Sequence, residues 1–177
     1  PGCRRGGGAP CQLTGETMTQ PKKPVFWEDF SVGETVAFGR KQVTREEIIA
    51  FASEFDPQPF HLDEAAAKET LLGGLAASGW HSCAMLMRLI CDDYLSEAAG
   101  MGGAGVEDVR WLKPVRPGDV LTCRRTCLEA RGSQSRPQMG IVKLHYEVEN
   151  QHSEVAMTWV AVQMFTSRAA ADAQGGE

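Results

Sequence analysis

Residues 79–94 read GWHSCAMLMRLICDDY. Wound as a helix, this stretch puts apolar or small side chains around most of its circumference, and a helix greasy on nearly all faces is a buried one. Met85, Leu86, Leu89 and Ile90 supply its core stripe. What buries it follows in the C-terminal half. Residues 106–115, 119–131, 139–150 and 154–166 alternate apolar with polar as strands do, punctuated by Pro114, Pro117-Gly118, Arg131-Gly132 and Asn150-Gln151. The last of them, VAMTWVAVQMF, is the clearest. One further strand, 34–43, precedes the helix, after a turn at Val32-Gly33. That order of elements points to an α+β domain, in which a long antiparallel sheet wraps around one central helix.

Between the first strand and the central helix the chain marks its own boundaries. Thr44-Arg45-Glu46-Glu47 is a capping box: the Thr44 hydroxyl takes the free amide of Glu47, whose carboxylate reaches back. Ile48, Phe51, Ala52 and Phe55 then recur at helical spacing. The helix stops near Phe55 or Asp56, because Pro57 disfavours helical geometry in the residue before it. Asp63 is placed to cap a second short helix through EAAAKE. Residues 73–79, GGLAASG, form a loop of small residues.

The chain has 177 residues, a length that suits one domain and buries a core without disulfides or metals. Net charge −5, with no long Lys/Arg run, argues against nucleic acid as a partner. No apolar run is long enough to cross a bilayer, and no secretory leader pattern opens the chain. Cys123 and Cys127 share a strand face but lie about 13 Å apart in extended chain, too far for a disulfide. No Cys-x-x-Cys and no Cys/His ligand spacing occurs, so all six cysteines read as thiols of a reducing, cytoplasmic compartment. Residues 1–24, rich in Gly and Pro, read as a disordered leader with a natural start at Met18. The domain is expected over 25–167, and 168–177 as a flexible tail.

Two places can carry chemistry. In Phe55-Asp56-Pro57-Gln58-Pro59-Phe60-His61, two prolines flank Gln58 and stiffen a connector expected to be non-helical. It presents a carboxylate and an imidazole at fixed separation, framed by Phe55 and Phe60, as a general acid/base pair requires. The plainer alternative is that Asp56 caps a turn and His61 is a loop histidine with its bonds satisfied. The second place is Ser78-Gly79, where free amides at the start of the buried helix can meet an oxyanion. Its alternative is an ordinary N-cap, with Gly79 present for packing.

These residues resemble a known family. Asp56-x4-His61 followed by Leu62-Asp63, then a small-residue loop into Ser78-Gly79, is similar to the MaoC-like dehydratases and (R)-specific enoyl-CoA hydratases. Trp27-Glu28-Asp29-Phe30-Ser31-Val32-Gly33-Glu34 and Leu112-Lys113-Pro114-Val115-Arg116-Pro117-Gly118-Asp119 look like two further landmarks, in family order over roughly residues 25–165. The resemblance implies a single hot-dog domain, a homodimer with its active site near the subunit interface, acyl-thioester substrates on coenzyme A or acyl carrier protein, and no metal or redox cofactor. Carried over, Asp56 and His61 hold the reacting water, and the Gly79 amide binds the thioester oxygen. Gln58, where the family often has Asn, and Ser78-Gly79-Trp80, where it often has His-Gly, depart from the pattern. Gln58, Phe60, Ser78, Trp80 and His81 are then the candidate substrate contacts. The implied activity is a lyase of fatty acid metabolism.

The remaining residues carry weaker signals. His81 is as compatible with a structural place on the first helical turn as with the pocket. His145 and His152 read as exposed, and Trp111 and Trp159 as packing residues. Arg110, Lys113 and Arg116 are candidates for coenzyme A phosphates, or else a solvated strand end. Two rivals stand beside the hydratase reading. A hot-dog thioesterase commonly places a carboxylate within the central helix, whereas here the first ones are Asp92 and Asp93, near its far end. A non-catalytic acyl-thioester-binding subunit would have lost Asp56 or His61.

Overall fold

A computed structural model of the chain describes residues 24–174. The leader with Cys3, Cys11 and Met18 lies outside the described residues, apart from Pro24. The elements run in the order β1 (Thr35–Gln42), α1 (Arg45–Phe55), α2 (Pro59–Leu62), α3 (Glu64–Lys68), α4 (Gly79–Ile90), β2 (Gly100–Trp111), β3 (Val120–Gly132), β4 (Met139–Glu149), β5 (Val155–Thr166) and α5 (Arg168–Gln174). The strands form one sheet in the order β1-β3-β4-β5-β2, every pair antiparallel. This is the α+β, hot-dog arrangement expected, with α4 in the embrace of the sheet.

Period-two alternation sends Leu121, Cys123 and Cys127 of β3, Val142, Leu144, Tyr146 and Val148 of β4, and Met157, Trp159, Ala161 and Phe165 of β5 into the core. There they meet Met85, Leu86, Leu89 and Ile90 of α4. The sheet approaches α4 closely at Gly39. This residue sits in a β1 irregularity at φ +68°, and a Cβ there would approach the Leu89 side chain to 3.0 Å. The helix is not buried all round, however. Trp80, Ala84, Met87 and Arg88 form an exposed strip at helical spacing along its outer side.

Local signals placed the elements of the segment between β1 and α4. Thr44 caps α1 with the reciprocal Glu47 bond, and Asp63 accepts from the Ala66 amide to start α3. Two landmarks act as fasteners. Trp27 lies on β4 so closely that a Cβ at Gly140 would sit 2.1 Å from the indole, while Phe30 packs against Tyr94 and Phe165. The loop 112–119 holds the approach to α4: Ala77 N–H donates to Val115 O at 2.8 Å, and the Arg116 guanidinium bonds Leu72 and Leu75 carbonyls.

Several boundaries differ from the sequence reading. The connector after Pro57 is not wholly non-helical, because Pro59 pre-sets the first position of α2 and His61 rides on that turn. The helical run to Tyr94 ends its α-geometry at Ile90 and continues as a π-turn over Cys91–Leu95. Strand β2 begins at Gly100, earlier than 106, since pairing with β5 overrides the low strand propensity of GMGGAG and irregularities absorb the mismatch. It ends at Trp111 rather than 115. Residues 168–174 of the expected tail form α5, where Arg168 pairs with Asp29 and lies over the Phe26 ring. Cys83, Cys91, Cys123 and Cys127 are free thiols. Among the described residues no helix is long and apolar enough to cross a membrane.

Candidate active site

Asp56 is where α1 is forced to stop. Its N–H still bonds Ala52 O, but before Pro57 its backbone leaves the helical region, at φ −151°, ψ 66°. Three residues later α2 begins at Pro59, and its single turn carries His61 back towards that carboxylate. His61 Nε2 lies 3.6 Å from Asp56 Oδ2. The other ring nitrogen, Nδ1, is 2.8 Å from the Ala76 carbonyl oxygen. A carbonyl only accepts, so Nδ1 carries a hydrogen and Nε2 is the ring nitrogen turned towards Asp56, presenting a lone pair there whenever the ring is neutral.

The carboxylate itself is held from two sides. Gln58 Nε2 donates to Oδ1 at 2.7 Å, and Ser78 Oγ–H donates to Oδ2 at 2.6 Å. These donors, Ser78 first and Gln58 second, hold the Asp56 carboxyl below the usual carboxylate range, with a smaller contribution from His61 and a partial opposition from burial. Ser78 is also the N-cap of α4, its oxygen accepting from the Trp80 amide at 3.2 Å. The first amide of the helix, that of Gly79, has no intrahelical partner and stands beside the dyad.

These groups line one cleft of about 620 Å³. Asp56, Gln58, Phe60, His61, Ser78, Gly79 and Trp80 all border it, so the structure brings together every expected site residue except one. The exception is His81. Two positions along a helix turn a side chain by roughly 200°, so His81 points behind Gly79 and under α1. There it stacks on Phe51, ring centroids 4.7 Å apart, and it is buried. Burial lowers its pKa, and its Nδ1 has no hydrogen-bond partner. Phe55 does not frame the dyad either; it is exposed beside Phe51. Phe60 does, edge-on to His61 at 4.6 Å.

The sequence reading missed the opposite wall, built by Leu71, Leu72, Trp111, Leu112 and Val115. Trp111 stands directly ahead of the landmark 112–119, which was the available signal. Arg110, Lys113 and Arg116 are already paired, with Asp108, Glu154 and the loop carbonyls respectively. His145 is half-buried rather than exposed, and His152 is exposed.

Comparisons with known proteins agree with this geometry. The sequence model of the MaoC like domain matches residues 29–150. The crystal structure of a MaoC-like dehydratase from Rhodospirillum rubrum is 46% identical, with a TM-score of 0.77 over 81% of this chain and 98% of that one. The uncharacterized protein YdeM of Bacillus subtilis is 29% identical over 125 residues, 70% of this chain and 86% of that protein. An unliganded R-hydratase from Pseudomonas aeruginosa, at 23% identity, shares the fold with a TM-score of 0.65 over 82% of this chain and 88% of its own. On the domain match, which spans more than half its length, the chain belongs to the MaoC-like family of hot-dog dehydratases.

Proposed function

We propose that residues 25–167 form a hydratase/dehydratase acting across the 2,3 double bond of an acyl thioester of the enoyl-CoA type. The observation that carries this reading is the facing of two proton acceptors, Asp56 Oδ2 and His61 Nε2, beside an unbonded helix amide in one cleft. At 3.6 Å they are too far apart to bond each other and well spaced to share the two hydrogens of one water.

In the hydration direction, His61 Nε2 takes a proton from that water while Asp56 holds it and balances the imidazolium. The water oxygen bonds C3 of the substrate. The electrons of the double bond move to the thioester oxygen, where the Gly79 N–H and the positive end of α4 meet the developing charge. The enolate then takes the proton from His61 onto C2, which restores the neutral ring and the carboxylate. Dehydration runs the same steps backwards. Substrate contacts come from Gln58, Phe60, Ser78 and Trp80.

The thioesterase alternative lacks its carboxylate: α4 holds no acid, and Asp92 and Asp93 lie beyond its end, facing Arg88 and Arg125. A homodimer is part of the proposal. The exposed strip of α4, with Trp80 and Met87, continues into Val106, Trp111 and Leu112 of the open edge strand β2 and the residue after it, an apolar surface a second copy would cover.

The test is to mix the protein with short-chain trans-2-enoyl-CoA and follow the absorbance of the conjugated thioester. Wild type is expected to consume it, and Asp56→Asn to lose about a thousandfold in kcat with melting unchanged within a few degrees. An Asp56→Asn protein of near-wild-type activity would sink the assignment.

A further inference from the structure

Gly79 does not owe its identity to backbone conformation, since it lies in ordinary helical geometry as the first residue of α4. Its side is occupied instead. A Cβ at Gly79 would fall 2.6 Å from Trp111 Cε2, 2.8 Å from Cδ2 and 2.9 Å from Nε1, distances that no real Cβ adopts. The indole also bonds the same residue: Trp111 Nε1–H donates to Gly79 O at 3.0 Å. That carbonyl already serves the α-helical ladder, and a carbonyl oxygen has a second lone pair to offer.

The backbone that carries Trp111 is well anchored, while its ring is half exposed. It closes β2 opposite Met157, and the next two amides, of Leu112 and Lys113, both bond Ala156 O at 2.8 and 3.1 Å. On the cleft side the Trp80 ring meets it edge-on, centroids 5.6 Å apart at 76°. The first turn of α4 is therefore gripped at one residue by a side chain delivered from the far end of the sheet. The Gly79 amide remains open, on the cleft that Asp56 and His61 also line.

We infer that Trp111 is a positioning residue for the reaction: it clamps Gly79 by packing and by the Nε1–H bond to its carbonyl, and so aims the Gly79 N–H at the thioester oxygen. Glycine is required at 79 because the indole occupies the space of its side chain. This rests on the hydratase reading for the identity of the oxyanion.

The experiment is a cycle of Gly79→Ala, Trp111→Ala and the double variant, with Trp111→Phe alongside, each measured for kcat, KM and thermal melting on the full chain. Gly79→Ala alone should melt lower and lose roughly a hundredfold in kcat, the scale of one misdirected oxyanion donor. In the double variant the methyl finds room, so its melting point should exceed the additive expectation, and its kcat should be no lower than that of Trp111→Ala. Trp111→Phe keeps a ring but no N–H; it should lose about tenfold in kcat with KM nearly constant, as expected when only the transition-state contact is loosened. Additive losses in the cycle, or a Trp111→Ala protein of wild-type kcat, would overturn the clamp. Failure of the underlying reading is separable: a wild type inert towards every enoyl thioester removes any catalytic role for Trp111, whereas an active wild type with an additive cycle removes the clamp alone.

Discussion

The two ends of α4 are both polar, and they are built on opposite plans. At the N-terminal end the bonding is left incomplete. The Gly79 amide is unpaired, His61 Nε2 faces Asp56 across 3.6 Å, and the walls open into a cleft. At the C-terminal end the polar groups are bonded to one another. The π-turn sends Tyr94 inward, where its hydroxyl donates to Gln163 Oε1 at 2.7 Å and therefore accepts from Tyr146, also at 2.7 Å. Arg125 lies over the Tyr94 ring, 4.6 Å from its centroid, and pairs with Asp93. A cation beside a helix C-terminus is favourable, and π-turns often mark function. Here the one buried side chain of the turn is Tyr94, its bonds already made, and burial pushes its hydroxyl up to about 12, so it stays protonated throughout the working range. The contrast is that both ends carry polar groups, but only at the candidate site does unspent hydrogen-bonding capacity border the cleft of Asp56 and His61.

That contrast can be broken in graded steps. Asp56→Asn, at the open end, carries the largest expected effect, on turnover and not on folding. Ser78→Ala removes the first of the two donors on Asp56. Its kcat is expected to drop about tenfold, the worth of one hydrogen bond to a charged group. Its pH profile sharpens the point. The folded-state carboxyl is held low, so the ionised form persists as acid is added. Without Ser78 the Asp56 carboxyl should titrate at higher pH, followed by the NMR shift of its carboxyl carbon, and an unmoved titration would mean that Ser78 does not hold the carboxylate.

Tyr94→Phe, at the closed end, should do the reverse. It strands the Tyr146 hydroxyl and the Gln163 carbonyl in the core, at about 1–3 kcal/mol, seen as a lower denaturation midpoint with kcat per folded molecule unchanged. A fall in kcat without loss of stability would show the two ends to be coupled.

The smallest effect belongs to His81, which lies between them. Burial lowers its pKa, opposed by Glu47 and reinforced by Lys41. The unfolded chain therefore binds a proton more readily than the folded one, so stability is full above the ordinary histidine value, 6.5, and declines as pH falls below it. Urea midpoints measured down through that range should decline less in His81→Phe than in wild type. Equal slopes would place the acid sensitivity elsewhere.

Much of this is legible in the amino-acid sequence. The capping box at Thr44, the stop at Pro57, the cap at Asp63 and the alternation of β3, β4 and β5 are instructions executed within a few residues, where dihedral preferences and side-chain-to-backbone bonds act alone. The pairing of Asp56 with His61 was legible for the same reason, since both sit on one short bend stiffened by proline. The extra length of β2 was not, because the glycine-rich residues 100–105 are strand only by virtue of β5 beside them.

What the sequence determined by itself is therefore the element order, the buried helix, the family pattern and the two halves of the site, each as a local property. Tertiary structure alone decided how those halves meet. It brought Ser78 to a carboxylate 22 residues earlier in the chain, set the Ala76 carbonyl to choose the His61 tautomer, turned His81 into the core, and laid Trp111 against Gly79 from the end of β2. The physical reason is one of range. Backbone preferences and caps are set by neighbours in sequence, but the direction of a side chain across a cleft is set by packing between elements that only the closed sheet brings together.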